Sequence, residues 1–121
     1  MKKKESIKGQ LRAVVLQILT EKKESYAYEI IRIVKEKTNS GILITEGALY
    51  PVLHKLEAEG ILSSQIKNIG NRNRKYYFLT EKGKKESALH LESIREFIRH
   101  LNMLLNPDFK HIYNETYTRT N

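Results

Sequence analysis

TEGALYPVLHKLEAEG, residues 45–60, carries Leu49, Val52, Leu53 and Leu56 at the i, i+3, i+4, i+7 spacing of one buried helical face. Gly47 and Pro51 stand inside that run, where a helix interior makes them cost about 1 and about 3 kcal/mol respectively. With the aliphatic face turned inward, Gly47, Pro51, His54 and Ala58 point outward, flanked by Tyr50 and Lys55. Two arrangements satisfy this pattern. In one, the two poor helix formers keep the helix front slim for close approach to another molecule. In the other, the helix proper starts at Pro51, a favoured first position, and 45–50 is only a turn. Thr45 is a good N-cap, Glu46 suits the positive end of the dipole, and Gly60 is a natural stop.

Upstream, a helix is expected over about residues 10–21, with Leu11, Val14, Val15, Ile18 and Leu19 on one side. The charged turn EKKES follows, and Ser25 is placed to cap a second helix over about residues 26–37. TNSG (38–41) is a stop signal, and Ile42 to Ile44 suffice only for a short strand or a buried connector.

Downstream, the period changes to two. ILSSQIKN (61–68) and RKYYFLT (74–80) read as strands around the turn formers IGNRN. Alternation puts Tyr76 and Phe78 on one face and Tyr77 and Leu79 on the other, with one face covering the core. Thr80 caps a last helix that stops at Asn106-Pro107.

The chain of 121 residues fits one domain, divided into a basic lead-in (1–9), a compact unit (10–80), a long helix (81–105) and a polar tail (106–121). Its 22 Lys and Arg against 14 Asp and Glu give a net charge of +8. A pI of about 9.7 is the footprint of a polyanion binder. The absence of cysteine excludes disulfides and zinc–thiolate sites. No run approaches the ~18 apolar residues of a membrane span. No signal-peptide pattern follows MKKK, so a cytoplasmic location is expected.

Three helices followed by a hairpin make a winged helix-turn-helix: a mainly α fold with a small β-hairpin, extended by a long C-terminal helix. In such proteins the second helix of the motif enters the major groove and meets base edges with its N-terminal residues. GALYPVLHKLEAEGIL followed by NRNRKYYFLTEKG resembles the signature of the PadR family of bacterial transcriptional regulators. YAYEIIRIV fits as well, with Ala27 where such proteins often carry glycine. The resemblance covers about residues 10–105 and points to the smaller of the family's two size classes. It implies a cytoplasmic, homodimeric DNA-binding repressor, often relieved by a small molecule.

The resemblance favours the slim helix front. Thr45, Gly47, Ala48, Tyr50, Pro51, His54 and Lys55 are then the expected major-groove residues. Asn71, Arg72, Arg74 and Lys75 are the expected wing contacts to backbone or minor groove. The partner is double-stranded DNA with a pseudo-palindromic operator, its half-sites about one turn (~34 Å) apart.

In the last helix Leu91, Ile94, Ile98, Leu101 and Leu105 recur at the spacing of a coiled-coil seam. Leu89, Phe97 and Leu104 form a second stripe suited to the first helix. A homodimer through this helix and the first is expected, using Leu11, Val15, Leu91, Ile94, Phe97, Ile98, Leu101 and Leu105. No cofactor or metal is expected: four histidines come without HExxH, and there is no phosphate loop or GxSxG, so no enzyme is expected. Two further classes stay open. One is a winged-helix protein-interaction module that binds no DNA. The other is a small-molecule sensor with its effector pocket between the long helices, lined by Phe97 and neighbouring aliphatics.

Overall fold

The computed structural model describes residues 2–106 and 108, with side chains from residue 10 onward. The elements run α1 (Lys2–Lys22), β1 (Glu24–Ser25), α2 (Ala27–Lys37), α3 (Glu46–Ala58), β2 (Leu62–Ile69), β3 (Arg72–Leu79) and α4 (Glu81–Leu105). The strands form one antiparallel sheet in the order β1-β3-β2.

Two differences from the sequence reading concern the first forty residues. The first helix begins at Lys2, not near Gln10, so the expected lead-in is helical backbone. Apolar spacing reports only the packed part of a helix, and Lys and Glu continue it at little cost. The turn EKKES holds a third strand. Glu24 pairs with Phe78 and Ser25 with Tyr77. Ser25 is therefore not the cap of α2. It is buried in the sheet, its hydroxyl donating to Glu29 Oε1 at 2.7 Å, and Tyr26 stands at the N-cap with no side-chain capping bond. Ile42 to Ile44 form a connector without a strand, with Ile44 buried and Leu43 exposed.

The core is continuous. Leu11, Val15, Leu16 and Leu19 of α1 meet Ile30 and Val34 of α2, Leu49, Leu53 and Leu56 of α3, and Ile61, Leu62 and Tyr77 of the sheet. Tyr77 and Leu79 are the covered face of β3, as alternation requires. Thr45 accepts from the Ala48 N–H at 3.2 Å and Thr80 from the Gly83 N–H at 2.9 Å, so two of the three expected caps are made. Gly60 ends α3 in the left-handed region at φ 77°.

The long helix leaves the domain partway along its length. Leu91 is buried and Ile94 half-buried, whereas Phe97, Ile98, Leu101, Leu104 and Leu105 are exposed. The second stripe does not pack on α1: Leu89 and Leu104 are 71% and 80% exposed. Leu11 and Val15 cannot serve a dimer interface either. They are 1% and 0% exposed within a single chain, inside its hydrophobic core. The face of α1 turned to α4 instead carries Ala13, Val14, Gln17 and Ile18. With Ile94, Phe97, Ile98 and Leu101 these line an apolar groove of about 700 Å³. Of the expected polar tail, residues 107 and 109–121 lie outside the described residues.

Candidate nucleic-acid interface

The helix starts at Glu46, so Pro51 lies inside it and the turn alternative does not hold. A proline there has no N–H for the Gly47 carbonyl four residues back, and its ring crowds that carbonyl. Gly47 and Pro51 are thus an i, i+4 pair on one exposed face. The fold does not require the glycine: a Cβ added at Gly47 meets nothing within 4 Å. Tyr50, His54 and Lys55 are exposed beside it, with the Tyr50 and His54 rings 6.0 Å apart. Ala48 is half-buried against the core, and the Thr45 hydroxyl accepts the cap bond. Those two shape the helix front more than they project from it.

The hairpin turn is shorter than IGNRN suggests. It consists of Gly70 and Asn71, with φ of 58° and 64°, the two-residue turn that matches the twist of its strands. Asn71 therefore has a conformational role. Register then separates the basic residues. Arg72 and Arg74 share the outer face with Tyr76 and, across the ladder, Lys67. Lys75 is on the opposite face, its ammonium 3.5 Å from the Glu57 carboxylate of α3. It is not a tip residue: part of its charge is balanced within the protein. Glu57 also accepts from Ser64 Oγ at 2.5 Å, and that bond, then Lys75, holds its carboxyl below the ordinary glutamate range. Among the described residues no group of three or more His, Cys, Asp or Glu side chains is arranged to hold a metal ion.

The base of the wing is tied down by contacts the sequence reading did not single out. The Tyr26 and Tyr76 rings meet edge to face at 5.3 Å, and the Arg74 guanidinium lies 4.3 Å from the Tyr26 centroid. Lys67 Nζ lies 2.6 Å from Glu24 and 4.9 Å from the Tyr76 centroid. On the next residue but one of α2, Tyr28 is exposed. The nearby Glu46 carboxylate raises the phenol above its ordinary value. Tyr28 thus lies where the front of α2 faces the front of α3. One surface runs from the wing arginines past Tyr26 and Tyr28 to Glu46, Gly47 and Tyr50. Tyr26 and Tyr28 were visible as aromatics in YAYEII, but the partners of Tyr26 emerge only from the strand register and the neighbour of Tyr28 only from the placement of α2 against α3.

Helices α2 and α3 joined by a connector, with a two-stranded wing behind them, define a winged helix-turn-helix protein. Among the described residues no helix is long and apolar enough to cross a membrane. The sequence profile described as the transcriptional regulator PadR-like family matches residues 15–89. The chain belongs to that family of transcriptional regulators. It is 32% identical over 65 residues to a transcriptional regulator of Mycobacterium tuberculosis, spanning 54% of this chain and 61% of the relative. A PadR-like regulator of Bacillus cereus superposes with a TM-score of 0.72 at 26% identity, covering 84% of this chain and 97% of that one. PadR of Bacillus subtilis, solved in complex with operator DNA, gives 0.59 at 30% identity over 67% of this chain and 46% of that one.

Proposed function

We propose that the protein binds a pseudo-palindromic operator as a homodimer and represses transcription in the cytoplasm. The observation that carries this reading is the exposed face of α3 on which a glycine unneeded by the fold and an interior proline strip away bulk. The wing carries Arg72 and Arg74 on its outer face. A helix front so bare lets backbone and short side chains reach base edges, while Tyr50, His54 and Lys55 supply hydrogen bonds and charge. Arg72 and Arg74 act on phosphates or in the minor groove, without base specificity. The likeness to a regulator solved on its operator supports the same assignment.

The second copy docks along α4. Its exposed stripe of Phe97, Ile98, Leu101 and Leu105 continues the seam whose first members, Leu91 and Ile94, pack against the domain. A small apolar effector takes the space between the paired long helices, beside Phe97, and acts by changing the separation of the two α3 helices.

The test is fluorescence anisotropy on DNA from upstream of the protein's own gene, with unrelated competitor DNA over a salt series. Binding that survives competitor and falls steeply with salt is expected. A binding partner insensitive to salt, with no DNA binding at low salt, replaces this reading with the protein-interaction module.

A further inference from the structure

Between the wing and the start of α2 lies an open cleft of about 540 Å³, lined by Tyr26, Tyr28, Arg72, Asn73 and Arg74. It contains two guanidinium groups and no acid. Its geometry follows from the sheet. Ser25 pairs with Tyr77, so the next residue, Tyr26, continues the strand direction opposite Tyr76 before the chain turns into α2. The Tyr26 ring is therefore on the outer face, next to Arg74, one alternate position along β3. A tyrosine at an N-cap offers no acceptor to the first turn, a loss of about 1 kcal/mol relative to Ser or Asp. Its ring is employed elsewhere: it stacks edge-on with Tyr76 and presents its face to the Arg74 guanidinium.

We propose that this cleft seats one phosphate of the DNA backbone, with Arg72 and Arg74 supplying the charge and Tyr26 acting as the positioning residue that aims Arg74. This rests on the DNA-binding reading above and adds to it a particular contact. An arginine on a free wing would lose rotamer freedom on binding DNA. Held against a ring, it has already lost part of that freedom, and its N–H groups remain available around the guanidinium edge. The fork can then take a phosphate bidentately while its face stays on the tyrosine. Tyr28 lines the cleft with its phenol near Glu46 of α3, which places the cleft beside the helix front. The seated phosphate thus sets the register of α3 along the groove.

The test is a double-mutant cycle on the full chain with operator duplex, read as affinity across a salt series. Arg74→Ala removes one phosphate contact in each protomer of the dimer, so it weakens binding about tenfold or more and makes the slope of log K against log salt shallower by about 1.8. Tyr26→Ala weakens binding roughly two- to fivefold, the range of an exposed cation–π contact. Tyr26→Phe restores affinity, because the ring rather than the hydroxyl holds the guanidinium. The double variant Tyr26→Ala/Arg74→Ala binds like Arg74→Ala alone. A duplex with a single neutral methylphosphonate, moved along the site, has one position in each half-site where it weakens the unaltered protein but not Arg74→Ala. Tyr26→Leu, with thermal melts of every variant, separates loss of fold from loss of aim.

Multiplying losses in the double variant, an unchanged salt slope for Arg74→Ala, or the absence of a methylphosphonate position overturns the cleft assignment while leaving DNA binding intact. Failure of the unaltered protein to bind any duplex overturns the DNA reading, and the cleft with it.

Discussion

Gly47 and Gly83 both sit in the first turn of a helix, and they answer to different demands. A Cβ at Gly83 would overlap the Ile61 carbonyl, where α4 starts directly over the residue that follows the Gly60 stop of α3. Only backbone can move to relieve that clash, so Gly83→Ala is expected to destabilise the fold by about 2 kcal/mol or more, read as a lower Tm. At Gly47 there is open space. Gly47→Ala should therefore stabilise the protein by up to about 1 kcal/mol through reduced chain entropy, while weakening operator binding. Opposite signs for stability and binding at one residue would identify a site shaped for a ligand. A variant at Gly47 that improves both would remove the slim front from the mechanism. The sequence made Gly47 conspicuous because it interrupts a strong periodic face. Gly83 gave no such signal, since its constraint comes from Ile61, which is distant along the chain and becomes a neighbour only when the hairpin closes.

Between elements, α3 is fixed to the wing through Glu57, which accepts from Ser64 of β2 and pairs with Lys75 of β3. The folded protein holds this carboxyl below its ordinary value, so the unfolded chain binds the proton more readily. Its contribution to stability is full above the ordinary glutamate pKa and is lost as pH falls through the lower folded value. Glu57→Gln is accordingly expected to flatten the fall of Tm between roughly pH 5 and 3, measured by thermal melts against the unaltered protein. Equal slopes would show that this link is too well solvated to matter. The helices were legible in the sequence because each has an apolar stripe and, for α3 and α4, a threonine cap. The two residues of β1 are too few to show any period, and the charges around them suggest a turn. Without β1 there is no reason to place Tyr26 opposite Tyr76. Taking residues 71–75 as one set of wing contacts likewise gathered Arg72, Arg74 and Lys75 into one cluster. A two-residue turn restores strand alternation to them and sends Lys75 to the other face.

At the scale of the whole molecule, the chain has more apolar helix than its own core can cover. Beyond Ile94, the stripe of α4 continues for three turns with Ile98 and Leu101 half to one-third exposed and Leu105 further out. A surface helix of a monomer would carry polar residues there. The partial exposure of Ile98 and Leu101 also makes them suitable probes, because neither contributes to the buried core. The pair Ile98→Glu and Leu101→Glu should leave the helical signal and the wing intact while placing four acids in a closed interface. Sedimentation is expected to give about twice the 14.2 kDa chain mass for the unaltered protein and the single-chain mass for the pair. Operator affinity should fall with assembly, by roughly a hundredfold or more, since two linked reading helices gain that much over one. The variant should retain weak, steeply salt-dependent binding, because each protomer keeps its own arginines and helix front. If the pair stays dimeric, the interface lies elsewhere and the distance between reading helices must be derived anew. If it becomes monomeric yet keeps full affinity, each chain reads its site alone, and the operator needs no twofold symmetry.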